Sequence, residues 1–135
     1  MLLTRRHIGM LLSAGMVVLT ACAPSDAEGQ SISLEAARAE HEAGRAIMID
    51  IREPHEHATG VAQGARLLPL SQLGARLSEV PADPSTPVLL ICNTQNRSSA
   101  ALKALSERGY RNLQFVRGGM SEWQRRGWPM VKPRQ

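Results

Sequence analysis

Two short apolar runs set the architecture this chain can adopt. They are Ala46-Ile47-Met48-Ile49, closed by Asp50, and Val88-Leu89-Leu90-Ile91, closed by Cys92. Neither alternates with polar residues, so each reads as a strand buried on both faces, as in a parallel sheet. Helical patterns separate them. Ser33 can cap a helix over Leu34-Glu35-Ala36-Ala37-Arg38-Ala39-Glu40, stopped by Gly44. Residues 52–60 are polar, contain Pro54, and read as a loop with one helical turn. Ala65 to Leu70 reads as a weaker strand, and Ser71 as the cap of a short helix through Leu73, Leu77 and Val80. After Pro81, Pro84 and Pro87 comes the second apolar run, then a helix opened by Ser98 and ended by Gly109. Leu113 to Val116 gives a further strand and Met120 to Arg126 a last helix. Alternation of this kind predicts an α/β domain, a mostly parallel central sheet with helices on both faces.

The first residues read as an address. Arg5 and Arg6 precede a largely apolar stretch from Ile8 to Leu19, too short for a spanning helix, which needs ~20 residues. It closes on Leu19-Thr20-Ala21-Cys22, which resembles a bacterial lipobox whose cysteine is acylated after cleavage. The plainer alternative is a secretory signal with a chance cysteine. Thr4-Arg5-Arg6-His7-Ile8 loosely resembles a twin-arginine signal, which leaves the export route open. The expected organisation is a signal peptide over 1–21, a tether over 22–31 and one domain over 32–135. The domain would then be exported and held by lipid on a bacterial membrane, facing the periplasm or the cell exterior.

Composition narrows the function. Without Arg5 and Arg6 the net charge of +4 falls to about +2, which no longer suggests a polyanion partner. The few aromatics, Tyr110, Phe115, Trp123 and Trp128, cluster near the end rather than interleaving with basic residues, which argues against nucleic acid. Two cysteines cannot form a four-ligand zinc site, and no cofactor is implied. His55, Glu56 and His57 could be read as metal ligands, but a polar loop without a thiolate partner favours a structural reading. With Cys22 lipidated, Cys92 is the one remaining thiol.

Cys92 stands between the most apolar strand and a helix start, where open α/β sheets collect ligands. Loop amides there can cradle an anion, and the helix dipole and Arg97 add positive potential. Those are conditions under which a cysteine becomes a nucleophile. The blander alternative is a small buried hydrophobe. Against it stand the polar and charged residues that directly follow, Asn93, Thr94, Gln95, Asn96, Arg97 and Ser98.

Three segments together resemble the rhodanese-like sulfurtransferases, over about residues 32 to 130. Asp50-Ile51-Arg52-Glu53-Pro54-His55-Glu56 is similar to that family's Asp-x-Arg-Glu stretch. Cys92-Asn93-Thr94-Gln95-Asn96-Arg97-Ser98 resembles the active-site loop of single-domain members. Gly118-Gly119-Met120-Ser121-Glu122-Trp123 with Gly127-Trp128-Pro129 is similar to the closing signature. The resemblance implies a persulfide cycle on Cys92. A small donor such as thiosulfate gives up its outer sulfur, and cyanide, a thiol or an unidentified protein acceptor removes it. It implies that the amides of Asn93, Thr94, Gln95 and Asn96 hold that sulfur and that Arg97 steadies the loop or the departing anion. Asp50 and Arg52 would form a supporting ion pair.

Two departures and two alternatives accompany this. Gln95 stands where many members carry glycine, so strain is expected if the position needs positive φ. Gly60-Val61-Ala62-Gln63-Gly64-Ala65 replaces a stretch that commonly reads Gly-His-Ile-Pro-Gly-Ala, so altered packing is expected. A non-catalytic binding or sulfur-relay module is one alternative. A cysteine phosphatase or arsenate reductase is the other, disfavoured because those loops place five residues between cysteine and arginine. Here the spacer is Asn93 to Asn96.

Overall fold

The computed structural model describes residues 30–134. The expected signal peptide over 1–21, Cys22 and the expected tether up to residue 29 lie outside the described residues. Within them the chain runs β1 (Ser31–Ile32), α1 (Leu34–Glu42), β2 (Ile47–Asp50), α2 (Pro54–His57), β3 (Arg66–Leu67), β4 (Val88–Ile91), α3 (Asn96–Glu107), β5 (Leu113–Val116) and α4 (Gly119–Arg125). The strands form one sheet in the order β1-β5-β4-β2-β3, and every pairing is parallel.

The apolar runs are strands for the reason the sequence suggests. Every residue of β4 is buried. Because side chains alternate across a sheet, Val88 and Leu90 face one way and Leu89 and Ile91 the other. Val88 and Leu90 pack with Ile49, Ala101, Leu102 and Leu105, beneath α3. Leu89 and Ile91 pack with Met48, Leu34, Ala37, Met120 and Trp123, beneath α1 and α4. Each such side chain contributes roughly 1.5–3 kcal/mol on leaving water, so the two faces share the driving force. Trp123 and Trp128 meet edge to face at 5.1 Å, with the Arg38 guanidinium over both rings. Trp123 belongs to the core on this face of the sheet and Trp128 packs against it.

Local signals hold at several ends. The Ser33 hydroxyl accepts from the Ala36 amide at 3.2 Å, and Gly44 leaves α1 at φ +71°. Elsewhere the structure corrects the sequence reading. The edge strand β1 was not expected. The strand expected over 65–70 shrinks to Arg66–Leu67, with Pro69 just beyond it unable to donate. The helix expected from Ser71 to Val80 is two separate 3-10 turns, Leu70–Gln72 and Leu77–Glu79, split around Gly74. Ser71 caps nothing; its amide and hydroxyl both donate to Glu53, at 3.0 and 2.7 Å. The helix after Cys92 opens at Asn96 rather than Ser98. In the departing stretch, Val61 is buried and exchanges two backbone hydrogen bonds with Val131, which ties down the C-terminal segment.

The strand order decides where a ligand can sit. After β2 the chain moves outward to β3, and after β4 it moves the other way to β5. The neighbouring strands β2 and β4 therefore flank the switch point of the sheet, where the diverging connections open a crevice. Asp50 pairs with Ile91 in register, which places Cys92 at the carboxyl end of that crevice.

Candidate active site

Cys92 leaves β4 only 1% exposed, while Asn93, Thr94, Gln95 and Asn96 are exposed around it. The loop is fixed from α4. The Met120 amide donates to the Cys92 carbonyl and the Ser121 amide to the Asn93 carbonyl, both at 2.8 Å. In a trans peptide the N–H lies opposite the C=O. Carbonyls turned toward α4 therefore send the Asn93 and Thr94 amides to the other side. Among the described residues the amides of residues 93 to 98 donate to no acceptor, and the first bond resumes with Ser99 to the Gln95 carbonyl at 2.9 Å. Six consecutive N–H groups and the start of a twelve-residue helix make a cradle for negative charge.

Backbone must approach backbone for this to work. A Cβ on Gly119 would lie within 2.6 Å of the carbonyl oxygens of Cys92, Asn93 and Thr94, and its φ is +60°. Only glycine fits there.

Beneath the loop, Ser98 is fully buried, and its Oγ lies 3.4 Å from Cys92 Sγ and 3.2 Å from the Gln95 carbonyl. The thiol donates to the hydroxyl, which donates onward to the carbonyl. Sequence reasoning treated Ser98 as a helix opener and missed this contact. The available signal was its position directly after Arg97.

Gln95 has φ −156°, and no residue other than glycine has positive φ among the described residues. The positive φ that would have strained a glutamine at this position is absent. Its Oε1 accepts from the Gly118 amide at 3.2 Å and ties the loop to the turn before α4.

Arg97, expected to steady the loop or the departing anion, has Nη1 and Nη2 each donating to a Glu56 oxygen at 2.7 Å, an arrangement that holds the loop end. Arg97 holds the Glu56 carboxyl down, to about 2, against a smaller opposing effect of burial. Glu56 also accepts from the Glu53 amide at 2.9 Å and so fixes the first turn of α2. The pair clamps α2 to α3 across the mouth of the crevice. Sequence reasoning included Glu56 in the segment that resembles the family and weighed it as a metal ligand, but did not pair it with Arg97.

Asp50 and Arg52 form the expected ion pair, wholly buried, with Nη2 to Oδ2 at 2.7 Å. Arg52 also donates to the Gly60 carbonyl at 2.8 Å, joining the end of β2 to the end of α2's loop. Burial pushes the Asp50 carboxyl up, but hydrogen bonds from His57 and Arg52 and the charge of Arg52 leave it below its usual range. His57 turns inward, its Nε2 3.2 Å from the Asp50 carbonyl, while His55 stays exposed. Among the described residues no three His, Cys, Asp or Glu side chains converge as metal ligands. Cys92, its loop, Ser98, Arg97, Asp50 and Arg52 thus gather at one end of the sheet, and Cys22 lies outside the described residues.

A sequence profile of the rhodanese-like domain matches residues 33–126. A protein named sulfurtransferase from Allochromatium vinosum is 37% identical over 87 residues, 64% of this chain and 79% of that one. An uncharacterised Bacillus subtilis protein, YqhL, is 39% identical over 79 residues, 58% of this chain and 61% of that one. The crystal structure of a rhodanese-related protein from Thermoplasma volcanium superposes with a TM-score of 0.66 at 31% identity, covering 77% of this chain and 99% of that one.

Proposed function

Because the chain belongs to the rhodanese-like domain family, we propose that it is a sulfurtransferase that carries a sulfane sulfur as a persulfide on Cys92. Family membership and the named relative support sulfur transfer as the general role. The donor is of the thiosulfate type, and the acceptor is cyanide or a thiol. In the first half, the Cys92 thiolate attacks the outer sulfur of the donor. The S–S bond to Cys92 forms as the donor's own S–S bond breaks, and sulfite leaves with the electron pair. In the second half, the acceptor attacks the outer sulfur, giving thiocyanate or a new persulfide, and the thiolate returns.

The observation that carries this reading is the run of six amides, residues 93 to 98, that find no acceptor among the described residues, around a buried thiol. Partial charges fixed in place can hold a sulfur anion without reorganising during the reaction. Ser98 offers a further hydroxyl to that sulfur. Arg97 acts on the loop through Glu56, and Asp50 with Arg52 anchors the strand end. A ring closed by four spacer residues suits one sulfur atom better than a tetrahedral oxyanion, which disfavours phosphatase chemistry. Gln95 does not need the positive φ that would have called for glycine, so a side chain at this position is compatible with the cradle.

Thiocyanate formation from thiosulfate or a thiosulfonate with cyanide tests the activity. It is expected in the native chain and absent in Cys92→Ser. Turnover in Cys92→Ser equal to the native rate would overturn the assignment. We also propose that Cys22 bears the lipid that holds the domain on a membrane, supported by the apolar stretch ending at Ala21-Cys22. Membrane fractionation should then lose the protein to the soluble fraction on Cys22→Ser; retention would contradict the anchor.

A further inference from the structure

The charges at the mouth of the crevice and buried beneath it hold the loop and the strand end, and they also set the potential that a donor meets. Arg52 is bound to Asp50, and Arg97 to Glu56 through two bonds. Glu53 holds Ser71 and lies close enough to Arg97 for their charges to interact. Three carboxylates against two guanidiniums leave this cluster one charge negative. Asn93, Thr94, Gln95 and Asn96 add none. Arg117, beside the Gly118 that Gln95 holds, extends toward the Ser31 hydroxyl at 3.5 Å.

An incoming donor meets this cluster together with the Cys92 thiolate. Thiosulfate carries two negative charges there, and an organic thiosulfonate only one. Resting on the sulfur-transfer reading, we propose that Glu56 is a specificity-determining residue. By occupying both terminal nitrogens of Arg97, it withholds that cation from the donor. The site then takes sulfur from donors of no more than one negative charge in preference to dianionic thiosulfate. The chemistry is unchanged: the Cys92 thiolate attacks the outer sulfur of a thiosulfonate, and sulfinate leaves with the electron pair, as sulfite leaves from thiosulfate. No outside oxidant or reductant is needed.

The test compares kcat/KM for benzenethiosulfonate and thiosulfate, with cyanide as acceptor, in the full chain carrying Cys22→Ser and in the same chain with Glu56→Gln. Glutamine keeps an oxygen for the Glu53 amide, so the turn of α2 is preserved. The native site should favour the monoanion. Glu56→Gln should move the ratio toward thiosulfate on the order of tenfold, the effect of one unit charge removed within several Å of a partly solvated site. Added salt should raise kcat/KM for thiosulfate more than for the monoanion in the native site. An unchanged ratio in Glu56→Gln overturns the proposal, as does a native preference for thiosulfate. Should Glu56→Gln fail to fold by circular dichroism, the native salt dependence decides, and equal responses of the two donors overturn it. Intact mass separates the two readings. If neither donor adds sulfur to Cys92, the sulfur-transfer reading falls and this one with it. If both add it with equal efficiency, only the specificity claim falls.

Discussion

Ser98 has one hydroxyl proton and two neighbours that can receive it. With a thiol at Cys92, the proton goes to the Gln95 carbonyl at 3.2 Å. With a thiolate, the same hydroxyl can rotate to the sulfur 3.4 Å away, and a charge-assisted bond of that kind contributes about 1.5–3 kcal/mol. Ser98→Ala should therefore slow sulfur uptake about tenfold or more, with the melting temperature nearly unchanged; single-turnover loading of Cys92 checks it, and a native rate would assign Ser98 to packing alone. Residues were legible in the sequence to unequal degrees. Cys92 stood out because a reactive side chain directly follows an apolar strand. The Asp50–Arg52 pair was implied by the resemblance of residues 50–56 to the family's Asp-x-Arg-Glu stretch, and the structure contains it. The Glu56–Arg97 pair could not be read, because its partners are 41 positions apart and meet only through the sheet. Gln95 was misjudged for a related reason, since neither its φ nor its bond to Gly118 is written in its neighbours.

At the scale of elements, the contact between α4 and the active-site loop carries the geometry. Two amides of α4 bind two loop carbonyls, and Gly119 is the point of closest approach. A methyl group there must displace the loop or the helix and also adopt φ +60°. Gly119→Ala should destabilise the domain by about 3 kcal/mol, from combined overpacking and backbone strain, and should reduce sulfur transfer beyond that loss of stability. Urea unfolding and activity measured on the folded fraction check it; a native midpoint would mean that the loop yields easily. The elements themselves were legible where burial wrote a pattern. β2 and β4 are covered on both faces and so read as continuous apolar runs. α1 was marked by Ser33 and Gly44. β1 has two residues and no room for a period. The stretch after Ser71 carries apolar residues at helical spacing, but Gly74 and the claim of Glu53 on Ser71 favour two short turns.

For the molecule as a whole, the switch point between β2 and β4 collects both the chemistry and the charges that hold the fold, so acid should act on both. The carboxyl of Glu56 is held at about 2, chiefly by hydrogen bonds from Arg97, and that of Asp50 is held below its usual range. Folded values below unfolded ones mean that the stabilisation is present in full above the ordinary carboxylate range and is lost as pH falls through the folded values. Stability should therefore drop between pH 4.5 and about 2, the window of Glu56. In Glu56→Gln the drop should be shallower; chemical denaturation across that window checks it, and parallel curves would deny the pair any part in acid sensitivity. The central claim is that the loop makes Cys92 a carrier of one sulfur atom. It is tested most directly by intact mass of the chain with Cys22→Ser, in which Cys92 is the only thiol, before and after exposure to benzenethiosulfonate. The account predicts a gain of one sulfur atom that cyanide removes and that Cys92→Ser never acquires. A mass that stays unchanged with this donor and with thiosulfate, or a gain that persists in Cys92→Ser, would contradict it.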